Sequence, residues 1–149
     1  MASDSRPSAH RNDQAVIREA LTTPATWAVV GLSENRDRTA YRIADFLVSQ
    51  LSMRVIPVHP DAPTVFGHDG YAVLADIPDG TSVEVVDFFV RSALVGDLVD
   101  EAIAQRERLG IRTLWLQLGV IDADAAARAE AAGLQVVMDT CPKMEWPLP

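Results

Sequence analysis

Five short apolar segments recur along the chain and alternate with segments of helical periodicity. The apolar segments predict strands at residues 26–30, 54–58, 83–90, 113–118 and 134–138. The third segment is interrupted by Asp87 and is otherwise almost wholly apolar. Apolar strands of this kind are typical of a parallel sheet that is covered on both faces.

Apolar residues spaced three and four positions apart predict helices between these strands. The predicted helices span residues 13–21, 39–51 and 94–109, with an alanine-rich helix from a cap at Asp122 or Asp124 to Gly133 and a short helical turn over residues 71–77. Asn12 or Asp13 is the expected cap of the first helix. Leu94 and Leu98 lie on the stripe of the third helix that is predicted to face the core.

The alternation of strands and helices predicts the fold class. It indicates an α/β domain with a five-stranded, mostly parallel sheet, helices on both faces and right-handed crossovers. The chain of 149 residues is long enough for one domain with its own core. The polar residues 1–11 predict a disordered leader, and residues 12–149 are expected to form a single domain.

Charge and composition narrow the partners that we expect. There are 13 basic and 21 acidic residues, so the net charge is 13 − 21 = −8. An acidic protein repels nucleic acid and anionic membranes, and neither is an expected partner. The single cysteine, Cys141, cannot form an intrachain disulfide and fits a reducing cytoplasm. Three scattered histidines and this cysteine have no metal-ligand spacing, so we expect no metal site.

The carboxyl ends of the predicted strands carry the candidate binding residues. In an open parallel sheet, ligands bind at this edge, near the point where the strand order reverses. The segments that should converge there are residues 31–39, 58–60, 89–91 and 117–120. The first of them leads into a helix, whose unpaired amides and dipole favour an anion. The sequence therefore predicts a ligand that carries phosphate.

Two common nucleotide fingerprints do not fit the first of these loops. The dinucleotide pattern G-x-G-x-x-G needs three glycines, whereas this loop has only Gly31, with Ser33 in the second place. An acidic residue is expected at the end of the second strand, whereas His59 and Pro60 stand there. Both departures weigh against NAD. The lysine-containing phosphate loop of ATPases is also absent, which excludes ATP hydrolysis of that type.

The order and spacing of the strand ends resemble those of the small CoA-binding domain proteins, which are related to the N-terminal domain of the succinyl-CoA synthetase alpha subunit. The resemblance covers residues 26–145. It is carried by Val30-Gly31-Leu32-Ser33 with Arg38, Pro57-Val58-His59-Pro60, Val86-Asp87 before Phe89-Val90-Arg91, Trp115-Leu116-Gln117-Leu118-Gly119 and Cys141-Pro142-Lys143. It implies a Rossmann-like three-layer domain that holds CoA across the carboxyl ends of its strands.

The resemblance also implies which residues bind the cofactor. The phosphates would face Gly31, Leu32, Ser33, Arg36, Arg38 and Thr39; the nucleotide region would be lined by Val58, His59 and Pro60 and flanked by Phe89, Val90 and Arg91; and Gln117, Leu118 and Gly119 would lie toward the pantetheine arm. The chain departs from the family at His59, where Asn is common. It departs again at Asp61, near which the synthetase-type domain carries a lysine.

Three functions are compatible with this reading. The first is a CoA or acyl-CoA binding module without catalysis of its own, such as a sensor or carrier. The second is an enzyme or enzyme subunit that uses CoA or NAD(P) with groups supplied by a partner chain. The third is a domain that keeps the fold without a ligand. The oligomeric state stays open, and a homo-oligomer is compatible with the sequence.

No residue is assigned a catalytic role. Ser33 lacks the G-x-S-x-G frame of a nucleophile, and His59 has no obvious paired nucleophile. Cys141 allows two interpretations. With Lys143 close by, it could form a mixed disulfide with CoA. Alternatively, it is a buried cysteine that packs as a small apolar side chain.

Overall fold

A five-stranded sheet forms the centre of the protein, and all of its strand pairs are parallel. The computed structural model describes residues 10–147. The strands are β1 (Thr26–Val30), β2 (Arg54–Val58), β3 (Val85–Phe88), β4 (Thr113–Leu116) and β5 (Gln135–Val137). Their order in the sheet is β2-β1-β3-β4-β5. The order therefore reverses between β1 and β3, as the predicted doubly covered α/β fold requires.

Five α-helices and a 3₁₀ turn cover the two faces of the sheet. The helices are α1 (Gln14–Thr22), α2 (Thr39–Ser49), α3 (Ser92–Leu109), α4 (Ala123–Ala131) and α5 (Pro142–Glu145), and the 3₁₀ turn spans Leu74–Asp76. One buried cluster joins the sheet to the 3₁₀ turn, α3 and α4. The other joins it to α1 and α2. The predicted three-layer arrangement is thus confirmed. Within residues 10–147, no helix is long and apolar enough to cross a membrane.

Aspartate side chains cap the starts of two helices. Asp13 caps α1 by accepting a hydrogen bond from the amide of Ala15 at 2.8 Å. Asp122 caps α4 by accepting from the amide of Ala125 at 3.0 Å. Each of these caps satisfies an amide that has no partner within the helix. Of the two candidates for each cap, Asn12 or Asp13 and Asp122 or Asp124, the structure therefore shows Asp13 and Asp122 in this role.

The strands are shorter than the sequence predicts at their carboxyl ends. The apolar segment 83–90 contributes only Val85–Phe88 to the ladder, and the segment 113–118 contributes only Thr113–Leu116. β1, which neighbours β3, ends where Gly31 turns the chain away at φ +98°. The amide of Phe89 still donates to the carbonyl of Val30 at 2.9 Å, and the register between β1 and β3 ends at Phe88. Of the apolar residues that follow β3, Val90 lines a cleft, whereas Phe89 packs against the other face of the sheet.

The side chain of Asn12 ties the start of the described chain to the end of β5. Its Nδ2 donates to the carbonyl of Met138 at 2.9 Å, and its Oδ1 accepts from the amide of the same residue at 2.8 Å. His10, beside it, lies 3.4 Å from Glu130 and has a side chain only 5% exposed. Residues 10 and 11 are thus placed against the domain, whereas residues 1–9 of the predicted disordered leader lie outside the described chain.

Arg108, in the last turn of α3, holds the segment that contains the 3₁₀ turn. Its guanidinium donates to the carbonyls of Ile77 at 2.5 Å and Leu74 at 3.1 Å. It also pairs with Asp79 at 3.1 Å. Carbonyls in an irregular segment lack helix or sheet partners, so a fork of N–H donors replaces those partners. One arginine side chain of α3 therefore holds several carbonyls of this segment.

Replacing Arg108 with alanine should lower the free energy of unfolding by about 2 kcal/mol, because several charge-assisted hydrogen bonds to buried carbonyls are lost together. Urea denaturation followed by tryptophan fluorescence measures this loss. Arg54→Ala is the control, since Arg54 is an exposed arginine at the start of β2. Equal stability of the two variants would show that the contacts of Arg108 contribute nothing beyond those of a surface arginine.

Candidate functional site

A cleft of about 290 Å³ opens at the carboxyl edge of the sheet. The strand ends form one side of it, and the 3₁₀ turn and α3 form the other. It lies where the strand order reverses between β1 and β3. The lining consists of Val30, Gly31, Val58, His59, Pro60, Ala72, Val73, Leu74, Phe88, Val90, Leu94, Leu98 and Glu101. Most of these side chains are apolar, so the cleft suits a ligand part that is flat or aliphatic.

Gly31 forms the tight turn at one rim of the cleft. Its φ of +98° lies in the left-handed region, and its amide donates to the carbonyl of Val58 at 2.7 Å. A Cβ atom built on Gly31 would stand 2.4 Å from the carbonyl oxygen of Phe89. Only glycine can therefore bring β1, β2 and β3 this close together at the edge of the cleft.

Short polar side chains in the loop after Gly31 accept hydrogen bonds from amides of the same loop. Ser33 Oγ accepts from the amide of Asn35 at 3.2 Å, and Asn35 Oδ1 accepts from the amide of Asp37 at 3.0 Å. Arg38 stands at the N-cap of α2 and makes no capping bond with its side chain. The first amides of α2 are thus left for another acceptor, which is the usual condition for an anion at a helix start.

Three arginines surround this loop, and they differ in their contacts. Arg42 donates to the carbonyl of Asp37 at 2.9 Å and so supports the loop itself. Arg36 lies with its guanidinium carbon 5.8 Å from the ring centroid of Tyr41. Arg36 and Arg38 are exposed, and within residues 10–147 neither is paired with a carboxylate. Their guanidinium donors are therefore open to solvent.

His59 forms part of the wall of the cleft. Its amide donates to the carbonyl of Tyr71 at 3.0 Å, which fixes the strand end. Its Nδ1 accepts a hydrogen bond from the amide of Asp61 at 3.1 Å. An accepting Nδ1 carries no proton, so in the neutral ring the proton is on Nε2. His59 can thus offer a donor to a ligand from a fixed ring.

The segment after β4 is anchored from two sides. The amide of Gly119 donates to Asp139 Oδ1 at 2.7 Å, and the carbonyl of Gly119 accepts from Ser92 Oγ at 3.2 Å. Leu118 is left 53% exposed at the tip of the segment. Gln117 is buried beneath it, at 5% exposure. The backbone is therefore held firmly while one apolar side chain projects into solvent.

The structure separates the residues predicted to bind CoA into groups. Five of them line the cleft, namely Gly31, Val58, His59, Pro60 and Val90. Ser33, Arg36, Arg38 and Thr39 belong to the loop and the start of α2, Arg91 is the exposed N-cap of α3, and Gln117, Leu118 and Gly119 follow β4. Leu32 is fully buried, and Phe89 is partly buried, both against the opposite face of the sheet. Their side chains contribute packing on that face.

Several lining residues were not among the sequence-based candidates. Ala72, Val73 and Leu74 precede or begin the 3₁₀ turn. Leu94, Leu98 and Glu101 lie on α3 at positions i, i+4 and i+7, which is one helix face. The prediction that Leu94 faces the core was wrong, since it is 49% exposed in the cleft. The pattern that could have revealed the three residues on α3 is a helix face with two leucines followed by a glutamate.

Cys141 directly precedes α5 and is 8% exposed. This burial fits the interpretation in which the cysteine packs as a small apolar side chain. The mixed disulfide with CoA stays a hypothesis, and mass spectrometry of the Cys141 peptide after mild oxidation with CoA tests it.

Known proteins share this fold and much of the sequence. A curated relative, the uncharacterized protein YneT of Bacillus subtilis (strain 168), is 28% identical over 131 residues, which are 88% of this chain and 92% of the relative. The solved structure of a hypothetical protein from Pyrococcus horikoshii OT3 is 33% identical with a TM-score of 0.78, and the match covers 97% of this chain and 96% of that one.

A larger protein contains the same fold. The dinucleotide-forming acetyl-coenzyme A synthetase 1 of Ca. Korarchaeum cryptofilum, solved with phosphate and ADP, matches with a TM-score of 0.65 and 21% identity. The match covers 83% of this chain and 27% of the synthetase chain. The model of the CoA binding domain matches residues 25–147, which include every element of the cleft. This chain therefore belongs to the CoA-binding domain family.

Proposed function

We propose that this protein binds CoA or acyl-CoA at the carboxyl edge of its sheet and acts as a binding or regulatory module without catalysis of its own. The observation that carries the proposal is the pairing of an apolar cleft with a polar loop at one rim, joined at Gly31. CoA combines the same two characters, since phosphates are attached to an adenosine on one side and to a pantetheine arm on the other.

The loop of residues 31–38 would take the phosphates. The uncapped start of α2 offers backbone amides, and Arg36 and Arg38 add two exposed guanidinium groups. The protein carries a net charge of −8, so a polyanion is attracted only where positive groups gather locally. Arg36 and Arg38 place two positive groups on this loop, beside the carboxylates of Glu34 and Asp37.

The cleft would take an apolar part of the ligand. Val58, Val90 and Leu98 present aliphatic surface, and His59 and Pro60 close the side next to β2. Burial of a flat ring or an aliphatic arm against such side chains contributes about 25 cal/mol for each Å² of apolar surface removed from water. The segment 117–119, in which Leu118 is exposed, lies at the carboxyl end of β4 and extends the same edge.

The residues of the cleft lack the groups of a catalytic centre. Among its lining residues, only His59 and Glu101 titrate, and neither stands beside a Ser, Cys or Lys nucleophile of the lining. Glu101 Oε1 instead accepts from the amide of Ala75 at 3.2 Å. Nucleophilic catalysis needs an activated nucleophile with its base, so binding is the better proposal.

Titration calorimetry with CoA, dephospho-CoA, NADH and NADPH tests this proposal. We expect heat and a 1:1 stoichiometry with CoA, and weaker binding of both nicotinamide cofactors because the loop has one glycine where their fingerprint needs three. Native mass spectrometry of freshly purified protein gives an independent measure, as CoA that co-purifies adds its own mass. A protein that neither binds CoA in calorimetry nor shifts its melting temperature with CoA would refute the proposal.

Removing the two exposed loop arginines should weaken CoA binding about tenfold, because each arginine can make a charge-assisted contact that solvent partly screens. The variant is Arg36→Gln combined with Arg38→Gln, and calorimetry at two salt concentrations measures the effect. The control is Arg54→Gln combined with Arg112→Gln. These substitutions remove the same amount of positive charge, but at the amino edge of the sheet. Equal affinities of the two double variants would contradict the placement of the phosphates.

A second function has one observation in its favour, namely the recurrence of this fold within a larger CoA-related synthetase. In that case the chain would be a subunit that supplies the CoA site to a partner chain. The test measures turnover of acyl-CoA, first by the purified protein and then after addition of a co-purifying protein. Turnover in either case distinguishes this function from binding alone.

A further inference from the structure

Three buried polar side chains on the sheet have no hydrogen-bond partner within the described residues. They are Trp27 through Nε1, Asp87 through both carboxyl oxygens, and Gln117 through Oε1. Trp27 and Asp87 are fully buried, and Gln117 is 5% exposed. Buried polar groups without partners are rare in folded proteins, because each costs the free energy of its lost hydration.

The strand register brings these three side chains together on one face. Asp87 on β3 stands opposite Val29 of β1 and Trp115 of β4. Trp27 comes two residues before Val29, and Gln117 comes two residues after Trp115. Because side chains alternate along a strand, residues two apart share a face. Trp27 is therefore a diagonal neighbour of Asp87 on one side. On the other side, Gln117 directly follows β4, and its amide donates to the carbonyl of Phe88 at 3.3 Å, which keeps the residue beside β3.

In the orientation in which Gln117 presents Oε1, the hydrogen-bonding capacities of these groups match when Asp87 carries a proton. The indole Nε1–H is a donor, and the Gln117 Oε1 is an acceptor. An ionised carboxylate can only accept, so it would face Gln117 with two acceptors opposed. A carboxylic acid accepts through its carbonyl oxygen and donates through its hydroxyl. With the proton in place, all four unpartnered atoms acquire a complementary neighbour.

The surroundings of Asp87 favour the same protonation state. Burial raises the pKa of Asp87 well above its ordinary value, and the nearby backbone amide of Phe88 opposes this only in part. α1 and α2 cover this face, and the partly buried Tyr41 packs against the same cluster. No charged side chain is among the causes of the shift.

We propose that Asp87 is a neutral carboxylic acid that accepts a hydrogen bond from Trp27 Nε1 through an internal water and donates one to Gln117 Oε1, directly or through an internal water. Asp87 thereby acts as a positioning residue for the segment 117–119. The Asp87 hydroxyl would hold Gln117 Oε1, while Asp139 and Ser92 hold the backbone of Gly119. The statement that segment 117–119 contacts the ligand rests on the proposed function. The protonation state of Asp87 and its effect on the position of Gln117 do not.

The first experiment compares the stability of the wild type and Asp87→Asn between pH 4.5 and pH 8. Asparagine reproduces the acceptor and the donor of the acid without titrating. The wild type keeps a proton that its unfolded chain releases above about pH 4, so its stability should fall with rising pH until Asp87 ionises. The ratio of the two unfolding constants should therefore change about tenfold per pH unit in this window.

Asp97→Asn is the matched control, since Asp97 is an exposed aspartate on α3. Its unfolding constant should keep a fixed ratio to that of the wild type over the same range. A pH-independent ratio for Asp87→Asn as well would overturn the proposal. If Asp87→Asn does not fold, carbon-13 NMR of the wild-type aspartate carboxyls decides. The Asp87 resonance should keep its protonated shift at neutral pH, and titration near pH 4 with the exposed aspartates would overturn the proposal.

The second experiment tests positioning by hydrogen exchange in the absence of ligand. Asp87→Leu keeps the approximate shape of the side chain but removes both hydrogen bonds. We expect the amides of Gly119 and Val120 to exchange at least tenfold faster in Asp87→Leu and at the wild-type rate in Asp87→Asn. Equal exchange in both variants would refute positioning.

The same two variants separate this inference from the proposed function. Where the wild type binds CoA, Asp87→Leu should bind it more weakly and Asp87→Asn should bind it as the wild type does. A wild type that does not bind CoA contradicts the proposed function, and the exchange rates still decide the role of Asp87.

Discussion

Alanine in place of Gly31 is expected to abolish measurable CoA binding and to lower the free energy of unfolding by about 3 kcal/mol. Two causes add. A φ of +98° is unfavourable for any residue with a side chain, and the new Cβ would lie 2.4 Å from the carbonyl oxygen of Phe89. That oxygen belongs to the backbone, so relief requires β1 and β3 to separate at the rim of the cleft.

Gly80→Ala separates these two causes. Gly80 also has a positive φ, of +86°, but a Cβ there would meet no atom within 4 Å. This variant should lose about 1 kcal/mol from backbone strain alone and should bind CoA as the wild type does. Thermal unfolding and calorimetry, with binding measured at a temperature where both variants are folded, give the comparison. If Gly31→Ala behaves like Gly80→Ala in both measurements, the close approach at the rim has no role in binding.

Glutamate in place of Leu94 is expected to weaken CoA binding about 30-fold, which corresponds to about 2 kcal/mol. Leu94 lines the cleft and is 49% exposed, so the substitution removes apolar contact with the ligand without opening the core. It also places a second carboxylate in a cleft that already holds Glu101. A polyanionic ligand is repelled by this added charge in partly desolvated surroundings.

Met144→Glu is the matched control for this charge. Met144 is a large apolar residue on α5 that is 73% exposed and is not part of the cleft lining. The two variants have the same net charge, and the unfolding free energy of each should stay close to that of the wild type. Calorimetry should show a loss of affinity for Leu94→Glu alone. Loss in both variants would indicate a general charge effect, and loss in neither would place the ligand outside the cleft.

The fold was predictable because it depends on long, repeated patterns. The apolar strands and the capped helices at Asp13 and Asp122 agree with one another along the chain, and strands joined by helices imply a parallel sheet. The order of the strands comes from the structure. The ends of the strands were less predictable. Residues 89 and 90 read as strand because they are apolar, whereas their neighbour β1 has already turned away at Gly31.

The candidate site was predictable where it depends on strand ends, and less so where it depends on helices. Val58 and His59 follow their strand directly, so the position of the strand places them. Leu94 and Leu98 have the spacing of core residues, and only the gap between α3 and the strand ends makes them a wall of the cleft. Asp87 interrupts an apolar strand in the sequence, but its partners depend on register, which the sequence does not state.

The bonds between Asn12 and Met138 also bear on how copies of this chain meet one another. β5 is an edge strand, and such strands present unpaired amides and carbonyls on which another chain can build a sheet. The amide of Asn12 occupies the amide and the carbonyl of Met138, directly after β5, as a neighbouring strand would. On the other edge, β2 carries Pro57, which has no N–H to offer. Both edges of the sheet are thereby made poor templates for aggregation.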